Sequence, residues 1–152
     1  MGNRIYTGPA ERQPNTISDR TCAAALLPGT FVSVLISTLA QATAPTAVRL
    51  ALLADRDFYS TAQLDATDPL KTAYASGDTG IAYVLEPGQS YQIAAAAATY
   101  TNGQELTVAA AGRVAAAATT NVVVGYYDGP NGVARSAGDL IDVVIAPFYT
   151  KA

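Results

Sequence analysis

The chain has 152 residues, and 50% of them are hydrophobic, so it fits one domain with a sizeable core. Only 14% of the residues are charged, and we expect such a weakly charged surface to contact other proteins. The net charge is −3 with two lysines, and no basic stripe is present to displace counterions from phosphates, which excludes nucleic acid as a partner. Histidine is absent and cysteine occurs once, which excludes zinc sites of the Cys/His type and a histidine-activated nucleophile.

The first twenty residues differ in composition from the rest of the chain. They contain two prolines, several polar side chains and no hydrophobic period, and such a segment cannot bury enough apolar surface to fold alone. We therefore predict an extended N-terminal arm over residues 1–20 and a β-rich domain over residues 21–152. The arm is either a frayed terminus or a segment that becomes ordered on a neighbouring subunit. In the second case its contacts with the neighbouring subunit, or with another protein of the same assembly, would come from Ile5, Tyr6, Arg12, Ile17 and Arg20.

An uncharged stretch from Thr21 to Val48 is long enough to span a bilayer. Pro28 and Pro45 interrupt it, however, and apolar residues on alternate positions within Phe31–Leu39 are typical of a strand rather than a membrane helix. We therefore predict one strand over Phe31–Leu39, a second over Ala47–Leu53, and no membrane partner. The N-terminus also lacks the apolar segment of a secretory signal.

The middle of the chain is more polar. Asp55–Ser60 is predicted to be a loop, and Asp68 followed by Pro69 is typical of a helix start, which predicts a single helical turn over Leu70–Ala73. This region carries a loose cluster of aspartates, but the glycine and terminal glutamate of an EF-hand calcium loop are missing at the required offsets. We therefore expect no metal and no cofactor. The aspartates are Asp55, Asp57, Asp65 and Asp68.

From Gly77 onward, turns built on glycine alternate with short apolar runs, a pattern that predicts a compact all-β domain. Two alanine runs, Ala94–Ala98 and Ala115–Ala118, favour helix by propensity but are short and flanked by turn residues, so we predict strands or extended segments, with a short helix as the alternative for the first run. The predicted fold is mainly β: a small single-domain β-barrel or β-sandwich with an extended N-terminal arm and at most one or two short helices.

Asp78-Thr79-Gly80 is the sharpest catalytic candidate. In retroviral-type aspartic proteases a D-T-G triplet supplies one of two paired carboxylates, which act as acid and base. That triplet follows an apolar strand in the proteases, whereas Ala75-Ser76-Gly77 precede it here. A Gly-Asp turn that enters a strand accounts for the same residues. We therefore expect no catalytic residue and no enzyme activity.

Turns and strands follow one another in a particular order in segments 75–83, 100–106, 111–114, 122–125 and 137–143. This order resembles that of small head decoration proteins, or capsid cement proteins, of tailed bacteriophages. The resemblance runs from about Leu26 to Phe148, and the polar N-terminus is similar to the extended arms of such proteins. The alanine-rich strands depart from the family pattern and leave barrel and sandwich topologies both open.

The resemblance implies a structural virion protein made in the host bacterial cytoplasm. Residues 21–152 would bind the major capsid protein on the outer capsid surface, as homotrimers at junctions between capsomers. Their role would be to stabilise the shell against the internal pressure of packaged DNA. Two alternatives from other classes remain: a retroviral-type aspartic protease that uses Asp78, and a phage fibre or spike subunit that binds a receptor.

Overall fold

The computed structural model describes residues 5–45, 49–55 and 73–152, and within them twelve strands form two five-stranded sheets and one two-stranded pair. The mainly β prediction is confirmed. Apart from strands, the described residues hold two short 3-10 turns, Ala10–Arg12 and Ala110–Gly112. No helix in these ranges is long and apolar enough to cross a membrane.

The first sheet closes into a barrel in the order β1-β3-β2-β4-β5. β1 runs parallel to β3, whereas the other neighbours are antiparallel. Closure removes both edges of this sheet, and with them the unpaired backbone groups that an open sheet would present. The five strands are β1 (Thr16–Cys22), β2 (Phe31–Val34), β3 (Thr38–Gln41), β4 (Leu50–Leu53) and β5 (Thr79–Tyr83).

The second sheet is antiparallel and follows the order β6-β12-β10-β8-β9. Its two outer strands approach each other, because Ala95 just after β6 bridges to Val114 in β9 and the Ala96 N–H donates to the Val114 carbonyl at 2.8 Å. A short pair, β7 (Ala98–Thr99) with β11 (Ala134–Arg135), lies beside it. The sheet comprises β6 (Ser90–Ala94), β8 (Glu105–Val108), β9 (Val114–Ala116), β10 (Val122–Tyr127) and β12 (Leu140–Thr150).

Two hydrophobic cores share the strands of the barrel wall. Successive side chains of a strand point to opposite faces, so Val32 and Leu53 fill the barrel interior while Phe31 and Leu52 pack into a second core against the second sheet. Burial on both faces explains why β2 and β4 are almost continuously apolar. The second sheet contributes Ile93, Leu106, Val124, Ile141 and Val143 to the second core.

The N-terminal segment differs from the sequence-based expectation. The predicted boundary at residue 20 lies inside β1, which pairs with both β3 and β5 and places Ile17 in the barrel core. Ile5 and Tyr6 are buried in the second core of the same chain. A register shift between Ile17 and Arg20 breaks the alternation of apolar residues in β1, which is why no strand period is visible in the sequence.

The predicted strand over Phe31–Leu39 is instead a hairpin, with β2 ending at Val34 and β3 beginning at Thr38. The predicted strand over Ala47–Leu53 matches β4 over Leu50–Leu53, and residues 46–48 lie outside the described ranges. Most of the predicted loop at 55–60 and of the predicted helical turn at 70–73 also falls outside them. The alanine runs are extended, since they contribute to β6, β7 and β9 as predicted.

Candidate functional site

Asp78 belongs to a tight turn at the entry to β5. Its Oδ2 accepts the Ala75 N–H at 2.9 Å, its own N–H donates to the Ala75 carbonyl at 3.1 Å, and Gly77 between them has a φ of +88°. Only glycine adopts that backbone conformation without strain. The carboxylate therefore serves the geometry of a Gly-Asp turn, which is the structural interpretation of the triplet.

The described ranges contain no group of three His, Cys, Asp or Glu side chains that is placed to hold a metal ion. Cys22 is buried in the barrel core, where it packs as a small apolar side chain. Of the acidic cluster in the middle of the chain, only Asp55 is described, and its Oδ1 accepts the Ile5 N–H at 3.4 Å. The other three aspartates lie outside the described residues.

The five residues predicted to form an interface are not brought together on one surface. Ile5, Tyr6 and Ile17 are buried within their own chain, whereas Arg12 is exposed and Arg20 is half-buried. Arg20 forms an ion pair with Asp19, and its Nε donates to the Leu35 carbonyl at 2.9 Å. The three apolar members stabilise the monomer, so only the two arginines are positioned to meet a partner.

A cleft of about 570 Å³ lies between the N-terminal segment and the turn that precedes β6. The Tyr6 hydroxyl shapes one wall, because it donates to the carbonyls of Pro9 and Arg12 at 3.1 and 2.9 Å. The charged residues that line the cleft are Arg12 and Glu86, and the rest is mainly proline, glycine and small polar residues. This lining supplies hydrogen-bonding groups, but among the described residues it has no paired carboxylates and no histidine that could activate the Ser90 hydroxyl.

Three tyrosines pack against one another in and beside the second core. The rings of Tyr6, Tyr83 and Tyr91 pack with centroids 5.5–6.3 Å apart, and the Tyr91 hydroxyl donates to Gln89 Oε1 at 2.6 Å. Burial, followed by the neighbouring Tyr83, raises the pKa of Tyr91 above its ordinary value. A buried phenol with its hydrogen bond satisfied is a structural group rather than a reactive one.

A second tyrosine network crosses the outer face of the second sheet. The Tyr126 hydroxyl lies 3.1 Å from that of Tyr149, which donates to Glu105 Oε2 at 2.6 Å. Lys151 Nζ lies 3.5 Å from Glu105 Oε1 and donates to the Ala117 carbonyl at 3.0 Å. The hydrogen bond to Glu105 is the main cause that raises the pKa of Tyr149. These contacts join β8, β10 and the end of β12.

The most exposed large apolar side chain of the described residues is at the tip of the β2–β3 hairpin. Ile36 is 98% exposed and its neighbour Leu35 is 41% exposed. A shallow groove of about 520 Å³ runs beside the tip, and its described lining includes Arg20 and Arg49 but no acidic residue. We refer to Leu35–Ser37 with these two arginines as the hairpin tip, and it is the candidate interaction site of the chain.

The sequence does not predict the turn at the hairpin tip, and the reason is physical. Hairpin turns are usually marked by glycine, asparagine or proline, and none of these lies between Phe31 and Gln41. Because Ile36 continues the alternation of Val32 and Val34, the pattern predicts one strand over Phe31–Leu39. The presence of Ser33, Ser37 and Thr38 was a weak signal of polar interruption, but not of a turn.

The sequence matches no family model and no curated protein. The fold does resemble a solved structure, the crystal structure of head fiber gp8.5 N base in bacteriophage phi29. The TM-score is 0.53 at 12% sequence identity, and the similarity covers 88% of this chain and 95% of that chain. Nearly the whole of that base therefore has a counterpart in this chain. The similarity establishes a shared fold.

Proposed function

We propose that this chain is a structural protein of a tailed-phage virion that binds the outer surface of the head. The observation that carries the proposal is the fold similarity to a phage head-fibre base over 88% of the chain. The resemblance of the turn-and-strand order to head decoration proteins supports the same location. For a small β protein in this position, the partner that we propose is the major capsid protein.

The finer proposal is that the protein is a decoration protein that stabilises the shell against internal DNA pressure. A weak contact that is repeated over a lattice gains strength through effective concentration, and trimerisation adds to this gain. The low charge content fits a protein that buries part of its surface on the shell. In this role the chain acts without catalysis and without a cofactor.

The test uses heads of the phage that encodes this chain, prepared without it. Purified protein mixed with such heads should co-sediment with them at a fixed ratio of copies to capsid protein. Decorated heads should then retain their DNA to a higher temperature than bare heads. Protein that stays in the supernatant over a range of salt concentrations would exclude a head-surface role.

A second candidate is the base of a head fibre, and the similarity to the head fiber gp8.5 N base of bacteriophage phi29 favours it. A fibre base also binds the head, so co-sedimentation does not separate the two. Heads that lack a fibre base should keep their heat stability, while the phage adsorbs less to its host. Heads that lack a decoration protein should lose heat stability with adsorption unchanged.

The aspartic-protease alternative makes a separate prediction. In that case Asp78→Asn would abolish turnover of a peptide substrate, since one of the paired carboxylates would be lost. We propose instead that Asp78→Asn leaves head binding intact, because the amide oxygen can still accept the Ala75 N–H. A peptidase activity of the purified wild-type protein that this substitution removes would replace the structural proposal.

A further inference from the structure

We propose that the hairpin tip is the element that docks on the shell, and that it fits an apolar pocket with an acidic rim on the major capsid protein. This inference rests on the proposed head-surface function and specifies the contact. Ile36 would enter the pocket as an apolar plug, while Arg20 and Arg49 would face carboxylates around it.

Hydrogen bonds hold the backbone of the tip, although the side chain of Ile36 is exposed. The Leu35 N–H donates to the Thr38 carbonyl at 2.9 Å and closes the turn. The Ser37 carbonyl accepts the Thr21 N–H at 3.2 Å, and the Leu35 carbonyl accepts Arg20 Nε at 2.9 Å. The turn is thus fastened to β1 as well as to its own strands. A preformed tip loses little conformational entropy when it binds.

Folding gives no reason for isoleucine at this position. The side chain of Ile36 contacts almost nothing in its own chain, since 98% of it is exposed. Single exposed apolar residues are common on protein surfaces, but here a second one, Leu35, is adjacent and a groove runs alongside. An apolar pair that is fixed on a turn beside a groove is suited to fill a pocket of a partner, and a side chain that is fully desolvated in such a pocket contributes most to binding.

The charges around the tip select the kind of partner. The chain as a whole carries a net charge of −3, yet the described residues of this groove include two arginines and no acid. Arg20 is paired with Asp19, but Arg49 is exposed and makes no ion pair within the described ranges. A partner surface with carboxylates beside an apolar pocket is complementary to this arrangement, and unlike charges across the contact would also speed association.

The experiment measures binding of Ile36→Ser to heads of the encoding phage that lack this chain. The exposed side chain contributes little to folding, so the melting temperature should stay that of the wild type. Loss of one isoleucine side chain that is buried in the contact should raise the dissociation constant about tenfold or more. Val133→Ser is the matched control, because Val133 is a 40% exposed apolar residue next to β11, in the other half of the fold, and this variant should bind like the wild type.

Charge reversal tests the second part of the inference. Arg49→Glu should weaken binding most at low salt and reduce the dependence of the dissociation constant on salt concentration. If wild-type protein binds the heads and Ile36→Ser binds as tightly, the tip is not the docking element although the proposed function stands. If wild-type protein itself fails to bind, both proposals are overturned. If Ile36→Ser instead dissociates oligomers of the free protein and leaves head binding unchanged, the occupant is a second copy and the inference is wrong.

Discussion

The Tyr91 hydroxyl is fully enclosed where the N-terminal segment meets the second sheet. It donates to Gln89 Oε1 at 2.6 Å, while its ring packs against Tyr6 and Tyr83. Tyr91→Phe keeps the ring and removes this hydrogen bond. Urea unfolding at neutral pH should therefore show a loss of about 1 kcal/mol in the free energy of unfolding.

The same residue should make the protein sensitive to alkali. Burial raises the pKa of Tyr91 and of Tyr100 above the ordinary value, so in the unfolded chain, with a pKa of about 10, each phenol ionises first. The stability that the neutral phenols supply is complete below about pH 10 and declines as the pH rises above it. In Tyr91→Phe the free energy of unfolding should fall less steeply above pH 10 than in the wild type. Equal slopes for both proteins would show that the Tyr91 phenol titrates alike in the folded and unfolded chains.

Among the elements of the fold, the N-terminal segment differs most from the structure that its sequence predicts. Ile5 is fully buried in the second core, so Ile5→Ala should lower the free energy of unfolding by about 2–5 kcal/mol. Arg12 lies on the same segment but is exposed, and Arg12→Ala should change that free energy by less than about 0.5 kcal/mol. The pair is compared by thermal or urea unfolding of the isolated protein. Equal, small effects of both variants would restore the interpretation of residues 1–20 as a detached arm.

Gly112 lies where the 3-10 turn before β9 packs against Phe31 of β2, so it helps to hold the two sheets together. Its φ is +67°, and a Cβ there would lie 2.6 Å from the Phe31 carbonyl oxygen and also collide with the Gln41 side chain. Gly112→Ala should therefore destabilise the protein by about 2 kcal/mol or more. Gly103 is the matched control, because its φ is +81° but no atom lies within 4 Å of the added Cβ. Gly103→Ala should cost about 1 kcal/mol from backbone strain alone, and melting temperatures of the two variants should differ accordingly.

The sequence predicts an element only where turn residues show its ends or where its apolar residues alternate regularly. The strands after Gly77 are bounded by glycine turns with positive φ, such as those at Gly77, Gly88 and Gly138, so the mainly β fold was predictable. β1 was not, because a register shift hides its alternation. The hairpin tip was not predictable either, since its turn has no turn-specific residue. Which buried face belongs to which core depends on contacts between distant strands, which local patterns do not encode.

For the whole molecule, the head-surface proposal requires one small chain to hold on to a large shell. A hairpin tip with one fully exposed isoleucine and two arginines is a small contact, and a contact of that size binds weakly by itself. Linking several copies converts later contacts into intramolecular ones, and this raises the overall affinity without enlarging any single contact. The head-surface proposal therefore favours an oligomer, and three copies suit a junction between capsomers.

We accordingly predict that the free protein is a trimer at micromolar concentration. Light scattering after size-exclusion chromatography should give three times the chain mass of 15.6 kDa. Because Ile36 is assigned to the shell, Ile36→Ser should keep the same trimer mass, which makes this variant the control for the oligomer contact. A monomer mass over the whole concentration range would mean that copies associate only on the head. Each copy would then reach the head with a single contact, so dissociation from sparsely occupied heads should follow one fast exponential rather than a slow, multivalent decay.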